Sequence, residues 1–195
     1  MLAYIHPMPR QKVDEKTIIK EALKLFRQKS YHATSMADIA MACGLLKGSL
    51  YHYFQSKEDL MIKVIESVHT FFAETVFTIA YNHSLDAVER MDLIFREAEK
   101  IFVDQESGEI LGNVGVETAL SMPEFQPTIQ AFFSDYFKAI KEVYRSKYDE
   151  AMANELAERS VSEIQGALTL SRIFNDEKFI KNTHLRTVAR LRNNA

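Results

Sequence analysis

The sequence predicts an all-α protein, and two observations support this fold class. The chain has 195 residues with six glycines and four prolines, and these are clustered, so long stretches contain no helix breaker. Apolar residues recur at helical spacing, whereas no segment shows the alternation typical of a β-strand. We therefore expect a three-helix head over residues 1–60 and a larger helical body over residues 61–195.

Composition and charge restrict the class of protein. Hydrophobic residues make up 47% and charged residues 26%, which is typical of a globular protein, and no apolar run is long enough to span a membrane. The amino-terminal stretch lacks the apolar core of a signal peptide, and Cys43 is the single cysteine, so no intramolecular disulfide can form. These features predict a cytoplasmic protein that is not bound to a membrane.

Charge is distributed unevenly between the two predicted units. Residues 1–60 carry nine Lys or Arg and six Asp or Glu, whereas residues 61–195 carry fifteen and twenty-one. A basic head on an acidic body suits a protein whose head contacts DNA while its body stays away from it.

The head is predicted from its capping residues and its turn. Asp14 is the expected N-cap of a first helix that runs to about Lys29 and buries a stripe of apolar residues at Ile19, Leu23 and Phe26. Ser35 and Asp38 form a capping-box pattern that opens a second helix. Gly44 follows where the chain must turn, and a left-handed conformation is expected there. Apolar residues of this helix, the turn and the next helix form a small core, namely Ile39, Ala40, Cys43, Leu45, Leu50 and Phe54.

The outward surface of the helix after the turn is rich in hydrogen-bond donors. Lysine, serine, tyrosine and histidine side chains all bind phosphate oxygens or base edges, so this pattern predicts a helix-turn-helix that enters the major groove. A further lysine at the start of the next helix is expected to contact a phosphate. The predicted DNA-contact residues are Thr34, Ser35, Lys47, Gly48, Ser49, Tyr51, His52, Tyr53 and Lys57.

The run from Lys47 to Phe54, followed by Gln55-Ser56-Lys57, resembles the recognition-helix signature of TetR-family transcriptional regulators. The resemblance covers roughly residues 14–64 and is weak beyond them. One position departs from the pattern, because Leu46 stands where the family usually has a serine or threonine that caps the recognition helix. The missing cap corresponds to about 1 kcal/mol and lowers the expected affinity for DNA without altering the expected fold.

The body is predicted to contain a long helix followed by four more. One helix is expected from Ser56 to about Tyr81, joining the head to the body. Asp86 should open the next helix, to about Val103, and residues 104–115 should form a loop. A helix to about Tyr148 and two final helices, split at Asn175, complete the chain.

Aromatic residues of the body indicate an apolar pocket for a small molecule. The candidate effector-binding residues are Phe72, Phe95, Phe102, Glu117, Phe133, Tyr136 and Phe137. Glu117 is expected to face solvent, or else to pair with a cationic ligand or an arginine. His69 is expected to be a core or rim histidine rather than a metal ligand, and we predict no metal and no cofactor.

The resemblance implies a homodimer formed through residues about 150–192, with two heads reading a palindromic operator in double-stranded DNA. It also implies a repressor that a largely apolar or aromatic effector releases. Two alternatives remain open at this point. The chain could be a helical small-molecule-binding protein or enzyme with a merely structural helix-turn-helix, although no nucleophile–base pair or phosphate loop supports catalysis. It could also be a regulator that responds to a protein partner.

Overall fold

The computed structural model describes residues 13–103, 110–118 and 121–192, and these segments contain helices and no strand. Side chains of residues 102 and 103 are outside the description. The helices are α1 Glu15–Lys29, α2 Met36–Ala42, α3 Lys47–Leu50, α4 Lys57–Thr75, α5 Ala87–Val103, α6 Leu111–Thr118, α7 Gln126–Tyr144, α8 Glu150–Phe174 and α9 Lys178–Arg192.

The predicted helix starts in the head are confirmed by their caps. The Asp14 carboxylate accepts a hydrogen bond from the backbone N–H of Thr17 at 2.8 Å, at the start of α1. Ser35 and Asp38 make both halves of a capping box at the start of α2. The Ser56 hydroxyl caps α4. Each cap satisfies backbone donors that the first helical turn leaves without a partner.

Gly44 has the left-handed conformation that the sequence predicts, with a φ of +67°. A Cβ atom built at this position would have nothing within 4 Å. Backbone conformation, rather than lack of space, is therefore the reason that glycine suits this turn.

The buried stripe of α1 differs from the prediction. Ile18, Ala22 and Phe26 are buried against the head, whereas Ile19 and Leu23 are only half-buried. Successive residues lie about 100° apart around a helix, so these two sets occupy adjacent stripes. Ile18, Ala22 and Phe26 pack in the head core, whereas Ile19 and Leu23 face the body.

The predicted continuous helix from Ser56 to Tyr81 is wrong in its second part. α4 ends at Thr75, and Phe77–Tyr81 forms a 3₁₀ helix. Residues three apart lie above one another in a 3₁₀ helix, so Phe77 and Ala80 both face the core and are buried there. The Phe77 ring stacks on Tyr136 of α7 with centroids 5.5 Å apart.

The predicted loop over residues 104–115 is also partly wrong. Its first six residues lie outside the described ranges, but α6 begins at Leu111 and includes Gly112 and Gly115. Leu111, Val114 and Thr118 are buried on one face, and this burial outweighs the low helix propensity of the glycines.

The body is built around α7, which packs on α8, on α4 and on the 3₁₀ helix. α7 ends at Tyr144, four residues before the predicted end. Asn175 separates α8 from α9, as predicted, and adopts a left-handed conformation. No helix in the described ranges is long and apolar enough to cross a membrane.

Candidate nucleic-acid interface and internal cavity

The recognition helix α3 is short and presents its donors to solvent. Lys47, Gly48, Tyr51 and His52 are exposed and Ser49 is half-buried, so these groups are available to a ligand outside the head. Leu50 and Phe54 are buried on the opposite side, where they hold α3 against α2. The amphipathic arrangement separates a structural face from a face of hydrogen-bond donors.

Leu46 is the N-cap of α3 and makes no side-chain cap bond. Its side chain is 66% exposed, although it is apolar. The departure from the family pattern at this position therefore leaves the first turn of α3 without side-chain capping.

Two of the predicted DNA-contact side chains have hydrogen-bond partners within the head. Thr34 is 1% exposed, and its hydroxyl donates to the Ser30 carbonyl oxygen at 2.8 Å, with the Leu25 carbonyl oxygen at 3.3 Å. The Lys57 ammonium donates to the carbonyl oxygens of Tyr31 and Thr34, both at 3.1 Å. It also lies 4.2 Å from the centroid of the Tyr31 ring. Both side chains stabilise the α1–α2 connection inside the head.

Two further predicted contact residues have partners within the head. Tyr53 is half-buried, and its hydroxyl donates to the Val13 carbonyl at 2.9 Å. The Ser35 hydroxyl is engaged with Asp38 in the capping box, although the residue itself is exposed. The exposed donors that remain are those on and beside α3.

Tyr31 lies at the centre of the junction between head and body. Its side chain is fully buried, and its ring makes an edge contact with Phe125 of the body at 5.2 Å. Its hydroxyl donates to Glu58 of α4 at 3.0 Å. Burial raises the pKa of the Tyr31 phenol, and the hydrogen bond to the Glu58 carboxylate raises it further. The phenol therefore stays protonated and keeps its hydrogen bond.

Glu117 on α6 connects the body to the same junction. Its carboxylate accepts hydrogen bonds from the backbone N–H groups of His32 at 2.9 Å and Tyr31 at 3.3 Å. The half-buried carboxylate therefore binds the α1–α2 connection instead of facing solvent, which was the first expectation for Glu117. The α1–α2 connection supplies the hydrogen bonds that a half-buried carboxylate requires.

A cavity of about 370 Å³ lies between α1 of the head and helices of the body. Two predicted effector residues, Phe72 and Tyr136, line it. The other twelve lining residues were not among the predicted effector residues. These are Lys16, Ile19, Lys20, Leu23, Ser67, Val68, Phe71, Ile101, Ile110, Leu111, Phe132 and Gln165. Ile19 and Leu23 form a second apolar stripe on α1, and this pattern could have indicated that α1 lines a cavity.

The remaining predicted effector residues lie elsewhere. The Phe95 ring stacks on His184 of α9 at 4.9 Å. Phe133 makes an edge contact with Phe132, and Phe137 lines a separate groove between α7 and α8. Phe102 lies outside the residues whose side chains are described.

His69 is a rim histidine with a carboxylate partner. Its Nε2 atom lies 3.0 Å from Asp135, and its ring meets the edge of Phe132. Within the described residues, no three His, Cys, Asp or Glu side chains are grouped closely enough to hold a metal ion.

The three-helix head with its turn and donor-rich α3 defines a helix-turn-helix DNA-binding protein. Residues 18–64 match the family model of bacterial regulatory proteins of the tetR family. Residues 87–186 match the C-terminal domain of LmrA/YxaF-like transcriptional regulators. The chain therefore belongs to the TetR family, whose members are transcriptional regulators and not enzymes.

Individual relatives agree with this assignment over most of the chain. The chain is 29% identical over 158 residues to the uncharacterized HTH-type transcriptional regulator YxaF of Bacillus subtilis, covering 79% of this chain and 82% of that protein. It is 25% identical over 139 residues to the transcriptional regulator AcuR of Cereibacter sphaeroides, covering 70% and 64%. The crystal structure of a TetR transcriptional regulator from Legionella pneumophila superposes with a TM-score of 0.82 at 26% identity, covering 90% and 96%.

Proposed function

We propose that this TetR-family regulator is a homodimeric repressor that leaves its operator when a largely apolar or aromatic small molecule binds the cavity. The observation that carries the proposal is the position of the cavity. Ile19 and Leu23 of the head form one wall, and Phe72 and Tyr136 of the body form another. A ligand between these walls contacts both units at once.

Release follows if the ligand binds one arrangement of head and body better than the other. A differential affinity that corresponds to roughly 1–3 kcal/mol is typical of such coupling. α4 lines the cavity through Val68 and Phe72 and begins in the head at Lys57. A shift of α4 therefore changes the distance between the two recognition helices of a dimer.

The proposed DNA contacts are the exposed groups at α3. We assign contacts with phosphates and base edges to Lys47, Ser49, Tyr51 and His52, whose exposure supports the assignment, and a close approach of the backbone to Gly48. Ser35 offers a contact at the start of α2. Two heads about one DNA turn apart then read a palindrome.

The proposed dimer interface is formed by α8 and α9. Large apolar side chains are exposed on these helices, at Met152, Leu170, Ile173, Phe174 and Leu185. Pairing these helices between two chains buries the apolar surface in a four-helix arrangement.

Repression and response to a small molecule have separate support. Part of this chain is similar to a named repressor, since it is 46% identical over 44 residues to the transcriptional repressor KstR2 of Rhodococcus jostii, covering 23% of this chain and 22% of that protein. An open cavity of about 370 Å³ favours a small-molecule effector over a protein partner, because a regulator that responds to a protein does not need such a cavity.

Selection of DNA from a random pool tests the proposal. Purified wild type and a Lys47→Ala variant are compared at moderate salt, after ligand has been stripped by unfolding and refolding. We expect the wild type to enrich an inverted repeat and the variant to fail. Failure of the stripped, folded and dimeric wild type to enrich any sequence would contradict sequence-specific DNA binding.

A further inference from the structure

We infer that the effector is an aromatic anion, whose negative group is held by Lys16 and Lys20 at the rim of the cavity while its ring system enters the apolar interior. The inference rests on the proposed function, because it assigns the chemistry of the ligand for the same cavity. It adds a charge requirement that an apolar pocket alone does not impose.

The first argument is the arrangement of residues on α1. Lys16, Ile19, Lys20 and Leu23 all line the cavity, and their spacing of three and four places them on one stripe of the helix. Both lysines are exposed, whereas Ile19 and Leu23 are half-buried. The same wall therefore offers a cationic rim and an apolar interior.

The second argument is the charge of the lining. Within the described lining of the cavity, Lys16 and Lys20 are the charged residues, and no carboxylate accompanies them. Among the described residues, neither ammonium forms an ion pair, although Lys16 contributes, after the hydrogen bonds from Thr17, to lowering the pKa of the Asp14 carboxyl outside the cavity. Other lysines of the chain differ, since Lys100 and Lys138 each pair with a nearby carboxylate. Two adjacent cations beside an apolar cavity favour a ligand of negative charge.

The third argument is the character of the interior. Phe71, Phe72, Phe132 and Tyr136 contribute four aromatic rings to the lining. Phe71 is 49% exposed, which is unusual for a phenylalanine of a helix packed on a body. Aromatic rings prefer edge-to-face or offset contacts with other rings, so a flat aromatic ligand suits this lining.

This division of contacts has a consequence for regulation. The negative group of the ligand binds the head, through α1, whereas its ring binds the body, through α4 and α7. The affinity for the ligand therefore depends on the position of the head, because the charged group binds there. A neutral ligand of the same shape can fill the interior but lacks the contact with the two lysines.

The inference is tested with three naphthalene probes of matched shape, 2-naphthoate, 2-naphthalenemethanol and 2-naphthylmethylammonium. The chain has no tryptophan, so naphthalene fluorescence reports binding with little background from the full-length protein. The variant is Lys16→Gln/Lys20→Gln. The control is Lys100→Gln/Lys138→Gln, which removes the same charge at two exposed lysines that do not line the cavity.

We expect wild type and control to bind naphthoate more tightly than the alcohol by about tenfold and the ammonium most weakly. In the Lys16→Gln/Lys20→Gln variant, the preference for naphthoate over the alcohol should disappear while the alcohol binds as before. Equal binding of the three probes to the wild type, no binding of any of them, or a preference that survives in the variant would overturn the inference. Operator selection is measured separately without probes, so a failure of the regulator assignment is recognised independently.

Discussion

The Oε1 atom of Glu117, on α6 of the body, lies 2.9 Å from the backbone nitrogen of His32 in the head. The second carboxylate oxygen accepts from the backbone N–H of Tyr31. α6 also lines the cavity through Leu111. A single short helix therefore contacts both the cavity and the connection between α1 and α2.

The Glu117→Ala variant should release this connection. We expect faster amide hydrogen exchange at Tyr31 and His32, and a free energy of unfolding lower by about 1 kcal/mol, because two hydrogen bonds to a half-buried carboxylate are lost. Exchange measured by NMR checks the first effect. Glu124→Ala is the matched control, since it removes an exposed carboxylate nearby. Unchanged exchange at both amides would contradict the hydrogen bonds from Glu117.

Lys47 of α3 and Lys57 at the start of α4 should behave differently when their charge is removed. Lys57→Met removes the donor to the Tyr31 and Thr34 carbonyls, so the free energy of unfolding should fall by about 1–2 kcal/mol. Lys47→Met changes an exposed side chain and should leave stability within about 0.5 kcal/mol of the wild type.

Lys47→Met should also weaken DNA binding. The operator affinity of Lys47→Met should fall. The slope of log affinity against log salt concentration should also become shallower, by about one released counterion per head. Thermal unfolding together with operator titration at several salt concentrations checks both variants. A Lys57→Met protein as stable as the wild type would contradict the structural role of Lys57.

Leu46→Ser should stabilise the head by supplying the cap that α3 lacks. Leu46 has the extended backbone of an N-cap, with φ −74° and ψ 145°, and it is largely exposed. A serine there can accept from the first-turn N–H groups of α3, which corresponds to about 1 kcal/mol. Leu46→Ala provides the comparison, because alanine shortens the side chain without capping. Equal melting temperatures of the serine and alanine variants would show that the cap does not form.

The Asp38 carboxyl should titrate at an unusually low pH. Hydrogen bonds from the Ser35 hydroxyl and backbone N–H, with Lys29 nearby, lower its pKa from 3.8 to about 2. Because the Asp38 pKa is lower in the folded state, the ionised carboxylate stabilises the head at pH values above the ordinary carboxyl pKa. This contribution is lost as the pH falls from about 4 towards 2. NMR titration checks the pKa, and Ser35→Ala should return it towards the ordinary value.

The features predicted correctly from the sequence depend on residues close together in the chain. Asp14, Ser35 and Ser56 cap helices that begin at the next residue, and Gly44 adopts its left-handed turn. Interactions of this kind extend over three or four residues, so a single sequence contains all the participants. The family signature at α3 is equally local.

Other features could not be predicted because their partners are far away in the chain. Arg90 is 3% exposed and donates to the Ala80 carbonyl and to Ser146, yet nothing around it in the sequence indicates burial. Phe95 was expected in the cavity, but it stacks on His184. An aromatic residue at helical spacing indicates a buried position without indicating which neighbour it meets.

The sequence by itself determined the all-α class, the helix-turn-helix, the uncapped α3 and the TetR resemblance, because helix periodicity, capping and turn conformation are local properties of the chain. Only the tertiary structure decided that Ile19 and Leu23 face a cavity, that Lys57 holds the α1–α2 connection, and that Glu117 links the body to it. These relationships depend on which faces of distant helices meet. Packing of the whole chain settles that choice, and periodicity leaves it open.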